Sequence, residues 1–425
     1  MIHDKKETTK LTNYRKIMIH LKEILKMSEK ILQANNPYFE SQKQVDESQF
    51  FTKDRLKEVF HFHKSISVYE ETPVHSLKNL ASHLGVQNIF VKDEGQRFGL
   101  KAFKGLGASF AVAKQLAKMH NLELAEITFD ELMEAVKDSE PATFTTATAG
   151  NHGKGFAWAT QLFNQKAKVF MPKGSSSERV EAVRSYGAEV EVTSMNYDDT
   201  VSHAAKVAED NDWILVQDTA WEGYMDIPMD IMQGYTSIIT ELTTQLDEVP
   251  LEDFTHVVLQ AGVGSFAAAM VQTIKALTGE NTPKLVVVEP RKADPLFKSA
   301  QSKDGAPTRV YGDLDSMMAG LACGEPNPSA WNILRNEITS FFSCEEIISA
   351  KGMRVLGNTM GDDTKIISGE SGAVSLGFIY EILSNEDYLE IQNELELNEY
   401  SNVLIINTEG DTDPKNYRRV VWDAE

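Results

Sequence analysis

The sequence is poor in three features that mark large classes of proteins: cysteine, positive charge and long apolar runs. Its 425 residues include only two cysteines, Cys323 and Cys344, too few for a disulfide framework or a cysteine-rich zinc site. Lysine and arginine number 42 against 63 acidic residues, and the resulting net charge of −21 opposes binding to nucleic acid or anionic membranes. No run reaches the roughly eighteen apolar residues of a membrane span. We therefore expect a protein of the reducing cytoplasm that acts on a small molecule.

Strand-like and helical segments alternate along most of the chain. The clearest strand-like runs lie at 168–172, 189–193, 213–217, 255–260, 284–289 and 402–407. This alternation indicates an α/β fold with mostly parallel sheets, and the length suffices for two lobes. Residues 1–36 place Ile17, Leu21, Ile24 and Leu25 on one face of a helix. They predict an appended amphipathic helix that the Asn-Asn-Pro sequence at 35–37 ends.

Lys104 is the first candidate functional residue. It lies in Phe98-Gly-Leu-Lys-Ala-Phe-Lys-Gly-Leu-Gly107, among apolar and glycine residues just after the strand-like run 88–92. A free lysine has a pKa of about 10.4, and partial burial lowers that value toward the nucleophilic range. A desolvated lysine beside glycines that admit a flat ring is suited to a Schiff base with pyridoxal phosphate. A solvated lysine at a helix start is the alternative.

A turn of small residues is the second candidate. Thr145-Thr-Ala-Thr-Ala-Gly-Asn-His-Gly-Lys-Gly155 precedes a helical run at 156–163. Small side chains ahead of a helix expose its first unpaired N–H groups, which attract a carboxylate or phosphate. The amide of Asn151 is suited to contact a phenolate oxygen. The alternative is an ordinary strand-to-helix turn with positive φ at its glycines, and His152 alone is more typical of a structural residue.

The third candidate is the loop Ala261-Gly-Val-Gly-Ser265, which links a hydrophobic strand-like run to a helix. Its glycines let the backbone wrap a phosphate, and its serine can donate a hydroxyl. The pattern Gly-x-Gly-x-x-Ala also fits a dinucleotide fingerprint, for which Glu289 at the end of the next strand would bind a ribose. A nicotinamide oxidoreductase is therefore an alternative, although it gives no role to Lys104.

These three segments occur in the same order in the fold-type II pyridoxal phosphate enzymes, the tryptophan synthase β-like superfamily, which the chain resembles. Longer strings, between about residue 60 and the C-terminus, narrow the resemblance to the diaminopropionate ammonia-lyase family. They are Val91-Lys-Asp-Glu, Arg97-Phe-Gly-Leu, Asn196-Tyr-Asp-Asp-Thr-Val201, Gln217-Asp-Thr-Ala-Trp-Glu-Gly-Tyr224, Met318-Ala-Gly-Leu-Ala-Cys-Gly-Glu-Pro326, Ile367-Ser-Gly-Glu-Ser-Gly-Ala373 and Thr408-Glu-Gly-Asp-Thr-Asp413. Strings of this length and order are not expected by chance.

The resemblance implies a two-lobe α/β fold with mostly parallel sheets. A small lobe, residues 107–222, would be inserted in a large cofactor-binding lobe, residues 37–106 and 223–425, after the extension 1–36. Pyridoxal phosphate would lie between the lobes, where pockets commonly form. The resemblance also implies a homodimer with an amino-acid substrate.

The resemblance further implies roles for individual residues. Lys104 corresponds to the Schiff-base lysine, whose freed amine can act as a base. Asp218 is the candidate for the acid that meets the β-amine of the substrate, with a helix N-cap as its alternative role. The expected partner of the pyridine nitrogen is Thr408, with Asn407 as the alternative. The residues expected to bind the cofactor are Lys104, Asn151, Ala261, Gly262, Val263, Gly264, Ser265 and Thr408, and those expected to bind the substrate carboxylate are Thr148, Ala149, Gly150 and Asn151.

Four other polar residues receive no catalytic role. His61 and His63 lack a third metal ligand nearby in sequence, so they predict surface positions and no metal site. Arg97 and Glu370 are expected to support the site or the fold.

The implied reaction is the α,β-elimination of 2,3-diaminopropionate to pyruvate and two molecules of ammonia. Ala149 departs from the family, whose members carry an aspartate directly before Gly-Asn-His-Gly. A carboxylate there would face the cofactor opposite the lysine and act as the base for the D-enantiomer, so we expect selectivity for the L-form. The alternatives left open are a serine or threonine dehydratase of the same superfamily and a catalytically silent binding homologue.

Overall fold

Two β-sheets organise the chain in the computed structural model, which describes residues 29–39, 45–148, 150–246 and 249–423. The strands of these residues are β1 (Ile31–Asn35), β2 (Val74–Ser76), β3 (Asn88–Asp93), β4 (Thr143–Ala147), β5 (Lys166–Met171), β6 (Glu189–Val192), β7 (Ile214–Leu215), β8 (His256–Gln260), β9 (Lys284–Pro290), β10 (Ser340–Cys344) and β11 (Asn402–Asn407).

The helices lie between these strands. They are α1 (Lys53–Ser65), α2 (Lys78–Leu84), α3 (Lys104–Met119), α4 (Phe129–Val136), α5 (Asn151–Leu162), α6 (Ser177–Arg184), α7 (Tyr197–Asn211), α8 (Asp226–Tyr235), α9 (Ser237–Gln245), α10 (Ser265–Thr278), α11 (Pro295–Ala300), α12 (Pro328–Glu337), α13 (Glu346–Gly357), α14 (Glu370–Ser384), α15 (Leu389–Leu395) and α16 (Pro414–Val421). No helix of the described residues has the length and apolar character needed to cross a membrane.

The larger sheet has seven strands in the order β1-β10-β9-β8-β11-β3-β2. The five central strands run parallel, whereas β1 and β2 pair antiparallel at the two edges. Strands β8, β10 and β11 are buried at every position, as expected for parallel strands that helices cover on both faces. The carboxyl ends of β8 and β11 are neighbours, and the predicted phosphate loop and Thr408 follow them directly.

The smaller sheet is entirely parallel, in the order β6-β5-β4-β7. Its strands fall between residues 143 and 215, within the segment predicted to form the small lobe. The predicted α/β architecture with two mostly parallel sheets is thus confirmed, while the exact lobe boundaries remain a prediction.

The prediction of a helix over residues 1–36 is wrong at its C-terminal end. Residues Ile31–Asn35 form β1, which pairs with β10 from Ile31 opposite Cys344 to Asn35 opposite Ser340. Pairing at an open sheet edge therefore outweighs the local helical pattern here. The rest of the predicted helix, residues 1–28, lies outside the described residues.

The prediction of a surface position is wrong for His63, whereas His61 is exposed as expected. The His63 ring is fully buried, with Nδ1 2.7 Å from Ser237 Oγ and Nε2 3.1 Å from Leu106 O. Burial lowers the pKa of His63 to about 3, so the ring is neutral at pH 7. It joins α1 to α3 and α9 and has a structural role.

Two glycines fix the position of helix α3. A Cβ atom on Gly155 of α5 would lie 2.9 Å from the carbonyl carbon of Lys104, and one on Gly234 of α8 would lie 2.6 Å from Leu106 O. Neither position has room for a side chain. Two neighbouring helices therefore hold the backbone at the start of α3 by direct contact.

Candidate active site

Lys104 and Asp218 form an ion pair at the centre of the site. Lys104 is the first residue of α3, and its Nζ lies 2.7 Å from Asp218 Oδ2 and over the rings of Phe103 and Tyr235. The two side chains are 17% and 12% exposed, respectively. Asp218 lies in the turn between β7 and α8 and caps no helix, so its alternative N-cap role is wrong. The structure thus brings together the two predicted catalytic residues.

The sequence predicted a lowered pKa for Lys104, and this is wrong for the unmodified amine. Burial lowers the pKa, but the adjacent Asp218 carboxylate outweighs burial and raises it above the usual lysine value. Burial raises the pKa of Asp218, yet the neighbouring His152 and Lys104 together lower it to about 2. At neutral pH the pair is therefore an ammonium bound to a carboxylate.

His152 places an unprotonated ring nitrogen beside this pair. Its Nε2 lies 3.0 Å from Val216 O, a carbonyl that can only accept, so Nε2 carries the hydrogen. Burial lowers the pKa of His152, so the ring is neutral at pH 7 and Lys104 is the charged partner of Asp218 there. His152 Nδ1 lies 3.7 Å from Asp218 Oδ2 and has no hydrogen-bond partner among the described residues.

The turn before α5 is closed by internal hydrogen bonds. Thr148 Oγ1 accepts from Gly150 N and Gly153 N, both at 3.1 Å. The φ of Gly150 is 177°, which is extended backbone, so the alternative of a positive-φ turn is wrong. The Asn151 amide donates to Glu409 Oε2 at 2.5 Å and thereby joins α5 to the segment after β11. Ala149 lies outside the described residues.

The loop Ala261–Ser265 connects β8 to α10 with left-handed backbone at Gly264, where φ is +96°. Asn327 holds this loop, because its backbone N–H donates to Val263 O at 2.8 Å and its side-chain amide donates to Ser265 Oγ at 2.9 Å. Ser265 Oγ in turn donates to the backbone oxygen of Asp218 at 3.1 Å. The predicted phosphate loop and the Lys104–Asp218 ion pair therefore share one hydrogen-bond network.

Glu289 does not serve a ribose site. Its buried carboxylate accepts from Leu296 N at 2.9 Å and Phe297 N at 2.6 Å, in the first turn of α11. Burial raises its pKa well above the usual range. The nicotinamide alternative needs Glu289 to bind a ribose, but this carboxylate binds the N-terminus of α11 instead.

The two candidates for the pyridine nitrogen differ in their partners. The Asn407 amide donates to Asp93 Oδ1 and its carbonyl accepts from Ser368 Oγ, both at 2.7 Å. Thr408 lies beside the lysine, since its backbone oxygen accepts from Phe103 N at 3.2 Å. The Asn407 side chain is therefore used by the fold, whereas the Thr408 hydroxyl accepts one hydrogen bond, from Gln260 Nε2 at 2.7 Å.

A cavity of about 620 Å³ opens at Gly150 and Asn151 and extends between α6 and α16. A cavity of this size accommodates an amino acid or a cofactor of moderate size. The residues around Lys104 fit pyridoxal phosphate, because they combine a buried amine with the glycine loop Ala261–Ser265. The unpartnered buried polar atoms of the described residues include two near this amine, His152 Nδ1 and the Tyr235 hydroxyl. No group of three or more potential metal ligands occurs in the part of the chain that the structure describes.

Sequence reasoning missed three residues of the site, Gln260, Asn327 and Glu409. Gln260 gave a weak signal, as a polar residue that ends an apolar strand. Asn327 gave a stronger one, because it precedes a proline as helix N-caps often do, and it caps α12. Glu409 gave none, since its contact with Asn151 joins residues 258 positions apart.

Proteins of similar sequence also indicate that the chain is a pyridoxal phosphate-dependent enzyme. Residues 67–408 match the model of the pyridoxal-phosphate dependent enzyme family. The chain is 46% identical over 373 residues to the diaminopropionate ammonia-lyase of Salmonella typhimurium, with 86% of this chain and 92% of that protein covered.

Solved structures of similar proteins point to the same family as the sequence comparisons. The holo diaminopropionate ammonia lyase of Escherichia coli is 44% identical, with a TM-score of 0.86 over 93% of this chain and 97% of that one. The complex of the E. coli enzyme with D-serine has the same identity and TM-score and covers 93% and 98%. The nicotinamide alternative is wrong, and the cofactor is pyridoxal phosphate. The chain belongs to the diaminopropionate ammonia-lyase family of pyridoxal phosphate-dependent enzymes.

Proposed function

We propose that the protein eliminates ammonia from L-2,3-diaminopropionate, with pyruvate and a second ammonia as the final products. The main observation behind this proposal is the buried Lys104–Asp218 ion pair, which lies between the turn of residues 148–151 and the loop Ala261–Ser265. The 46% identity to a lyase named for this substrate supports the choice of substrate.

Pyridoxal phosphate supplies an electron sink that acidifies the proton on the α-carbon of an amino acid. Lys104 would hold it covalently, the loop Ala261–Ser265 would bind its phosphate, Asn151 would contact its phenolate oxygen, and Thr408 would contact its pyridine nitrogen. One hydrogen of the Asn151 amide already binds Glu409, which leaves the second for the cofactor.

Lys104 and Asp218 are the residues that move protons. While the amine is unmodified, its ammonium occupies the carboxylate of Asp218. If the amine were used covalently, the ammonium would no longer occupy Asp218, and the carboxylate would be an available acceptor. Asp218 would exchange a proton with the substrate β-amine, and the free Lys104 amine would take the α-proton. The neutral His152 Nδ1 offers a further acceptor beside them.

The turn of residues 148–151 would bind the substrate carboxylate at the start of α5, where backbone N–H groups and the helix dipole favour an anion. Thr148 Oγ1 occupies two of the nearby amides, those of Gly150 and Gly153. The cavity at Gly150 and Asn151 gives access to this position.

Ala149 sets the preference for the L-enantiomer in this proposal, because alanine cannot act as a base. The test is the rate of pyruvate release from L- and D-diaminopropionate by the wild-type protein and by Ala149→Asp. We expect the wild type to prefer the L-form and Ala149→Asp to raise the D rate by roughly 10²-fold, at the low end for general-base catalysis.

Ala149→Asn is the matched control, since it adds similar volume without a base. Equal wild-type rates on the two enantiomers would contradict the selectivity. L-Serine and L-threonine are the comparison substrates, and faster turnover of either would replace the proposed substrate with a dehydratase reaction.

A further inference from the structure

Gln260 is a buried glutamine at the carboxyl end of β8, between the phosphate-type loop and Thr408. It makes three hydrogen bonds. Its Nε2 donates to Ile406 O at 2.9 Å and to Thr408 Oγ1 at 2.7 Å, and its Oε1 accepts from Ser375 Oγ at 2.9 Å. The proposed activity gives no role to this residue.

The direction of these bonds follows from the partners. Ile406 O is a backbone carbonyl and can only accept, so the amide group that faces it must be the NH₂ of Gln260. The second hydrogen of that NH₂ is then donated to Thr408 Oγ1. The serine hydroxyl at the carbonyl end of the amide holds the side chain in this orientation.

The Thr408 hydroxyl therefore accepts a hydrogen bond from Gln260, and its own hydrogen must point elsewhere. Among the residues that the structure describes, the Thr408 hydroxyl donates no hydrogen bond, and Ile406 O is already bound by Gln260. The hydrogen of the Thr408 hydroxyl is therefore free to point at the ring. If the pyridine nitrogen lies beside this hydroxyl, the hydroxyl donates its hydrogen to the lone pair of that nitrogen.

We propose that Gln260 is a positioning residue that makes the Thr408 hydroxyl a hydrogen-bond donor to the pyridine nitrogen and so keeps that nitrogen unprotonated. This inference rests on the proposed contact between Thr408 and the ring. Three side chains linked by hydrogen bonds, those of Ser375, Gln260 and Thr408, would then together determine the protonation state of the pyridine nitrogen.

The test is the nitrogen-15 resonance of the full-length protein reconstituted with ring-¹⁵N pyridoxal phosphate. We expect an unprotonated ring nitrogen in the wild type. Gln260→Glu is nearly isosteric but offers a carboxylate to the threonine, which turns the hydroxyl hydrogen away from the ring. The resonance should then move upfield by tens of parts per million toward that of a protonated pyridine.

Gln272→Glu is the matched control, because it places the same substitution at a buried position of α10 away from Thr408, and it should leave the resonance unchanged. Gln260→Met is the second variant, to be used if the buried glutamate of Gln260→Glu prevents folding. It leaves Ile406 O without its partner, so the threonine hydroxyl turns toward that oxygen and the resonance should approach that of Thr408→Val.

The outcomes separate the inference from the function on which it rests. A wild-type resonance in Thr408→Val would refute the contact between Thr408 and the ring. A changed resonance in Thr408→Val, together with a wild-type resonance in both folded Gln260 variants, would overturn the role of Gln260 alone. Far-ultraviolet circular dichroism establishes that each variant is folded.

Discussion

Asp218 governs the charge state of Lys104, because the ammonium and the carboxylate are 2.7 Å apart in a largely buried site. Asp218→Asn removes the charge that opposes burial, so the pKa of Lys104 should fall below its usual value. Pyruvate release should fall roughly 10²- to 10⁴-fold with the loss of a proton-transfer group.

A pH profile of cofactor reattachment and a steady-state assay measure the two effects of Asp218→Asn. Glu222→Gln, an exposed substitution four residues away, is the control and should change neither. Unchanged turnover in Asp218→Asn would remove Asp218 from the mechanism.

Glu370 should make stability depend on pH. Burial, with the nearby Glu409 carboxylate, raises the pKa of Glu370 to about 7, above the unfolded value of about 4.3. The protonated form is thus favoured in the folded state, and stability is lost as pH rises from about 4.3 through 7. Glu370→Gln should raise the free energy of unfolding by about 1–3 kcal/mol at pH 8 and change it little at pH 4.

Urea unfolding at the two pH values measures this difference for Glu370→Gln. Glu386→Gln, which alters an exposed glutamate, should show no such dependence. An equal effect of Glu370→Gln at both pH values would contradict the raised pKa.

At the scale of elements, a buried ion network ties strand β3 to helix α9. Glu241 of α9 binds Lys92 of β3 and Arg97, and all three side chains are fully buried. Arg97 also binds Glu94 at 2.8 Å, a buried contact of the kind expected of a residue that supports the site or the fold. Lys92, Glu94 and Arg97 of this network lie in the segment that leads along β3 to Lys104.

Glu241→Ala should lower the free energy of unfolding by about 3–5 kcal/mol, since it leaves buried cations without their partner. Urea denaturation measures the loss. Glu58→Ala, which removes the half-buried partner of the exposed Arg55, is the control and should cost less than about 1 kcal/mol. Comparable losses for the two variants would show that burial does not decide the contribution.

Elements with strong periodicity were predictable, whereas those decided by distant contacts were not. The strand-like runs 402–407 and 284–289 became β11 and β9 with nearly the predicted bounds, because buried parallel strands are continuous apolar runs. Strand β1 was missed because its conformation depends on β10, about 300 residues away. The raised pKa of Lys104 was missed for the same reason, since Asp218 is 114 residues away.

For the whole molecule, the cofactor should link the two sheets. Lys104, Thr408 and the loop Ala261–Ser265 follow strands of the larger sheet, whereas Asn151 follows β4 of the smaller one. Hydrogen exchange with and without pyridoxal phosphate should therefore show added protection in segments 143–155 and 402–410 together. Segment 346–357 is the internal reference, and protection confined to one sheet would contradict the expected bridging.

The predicted homodimer is also a property of the whole molecule. Light scattering at several protein concentrations measures the assembly, and a mass near twice 47.4 kDa is the expected result. A concentration-independent mass of one chain would refute it.

The contacts at Gly155 and Gly234 have a consequence for attempts to redesign this enzyme. The main chain of Lys104 is positioned by contacts with other main chains, so its location is insensitive to most changes in the surrounding side chains. A library of substrate-pocket variants can therefore sample the cavity wall at Ala182 or Ser176 broadly. Variation at either glycine, even to alanine, would shift the main chain of Lys104 and should be left out of such a library.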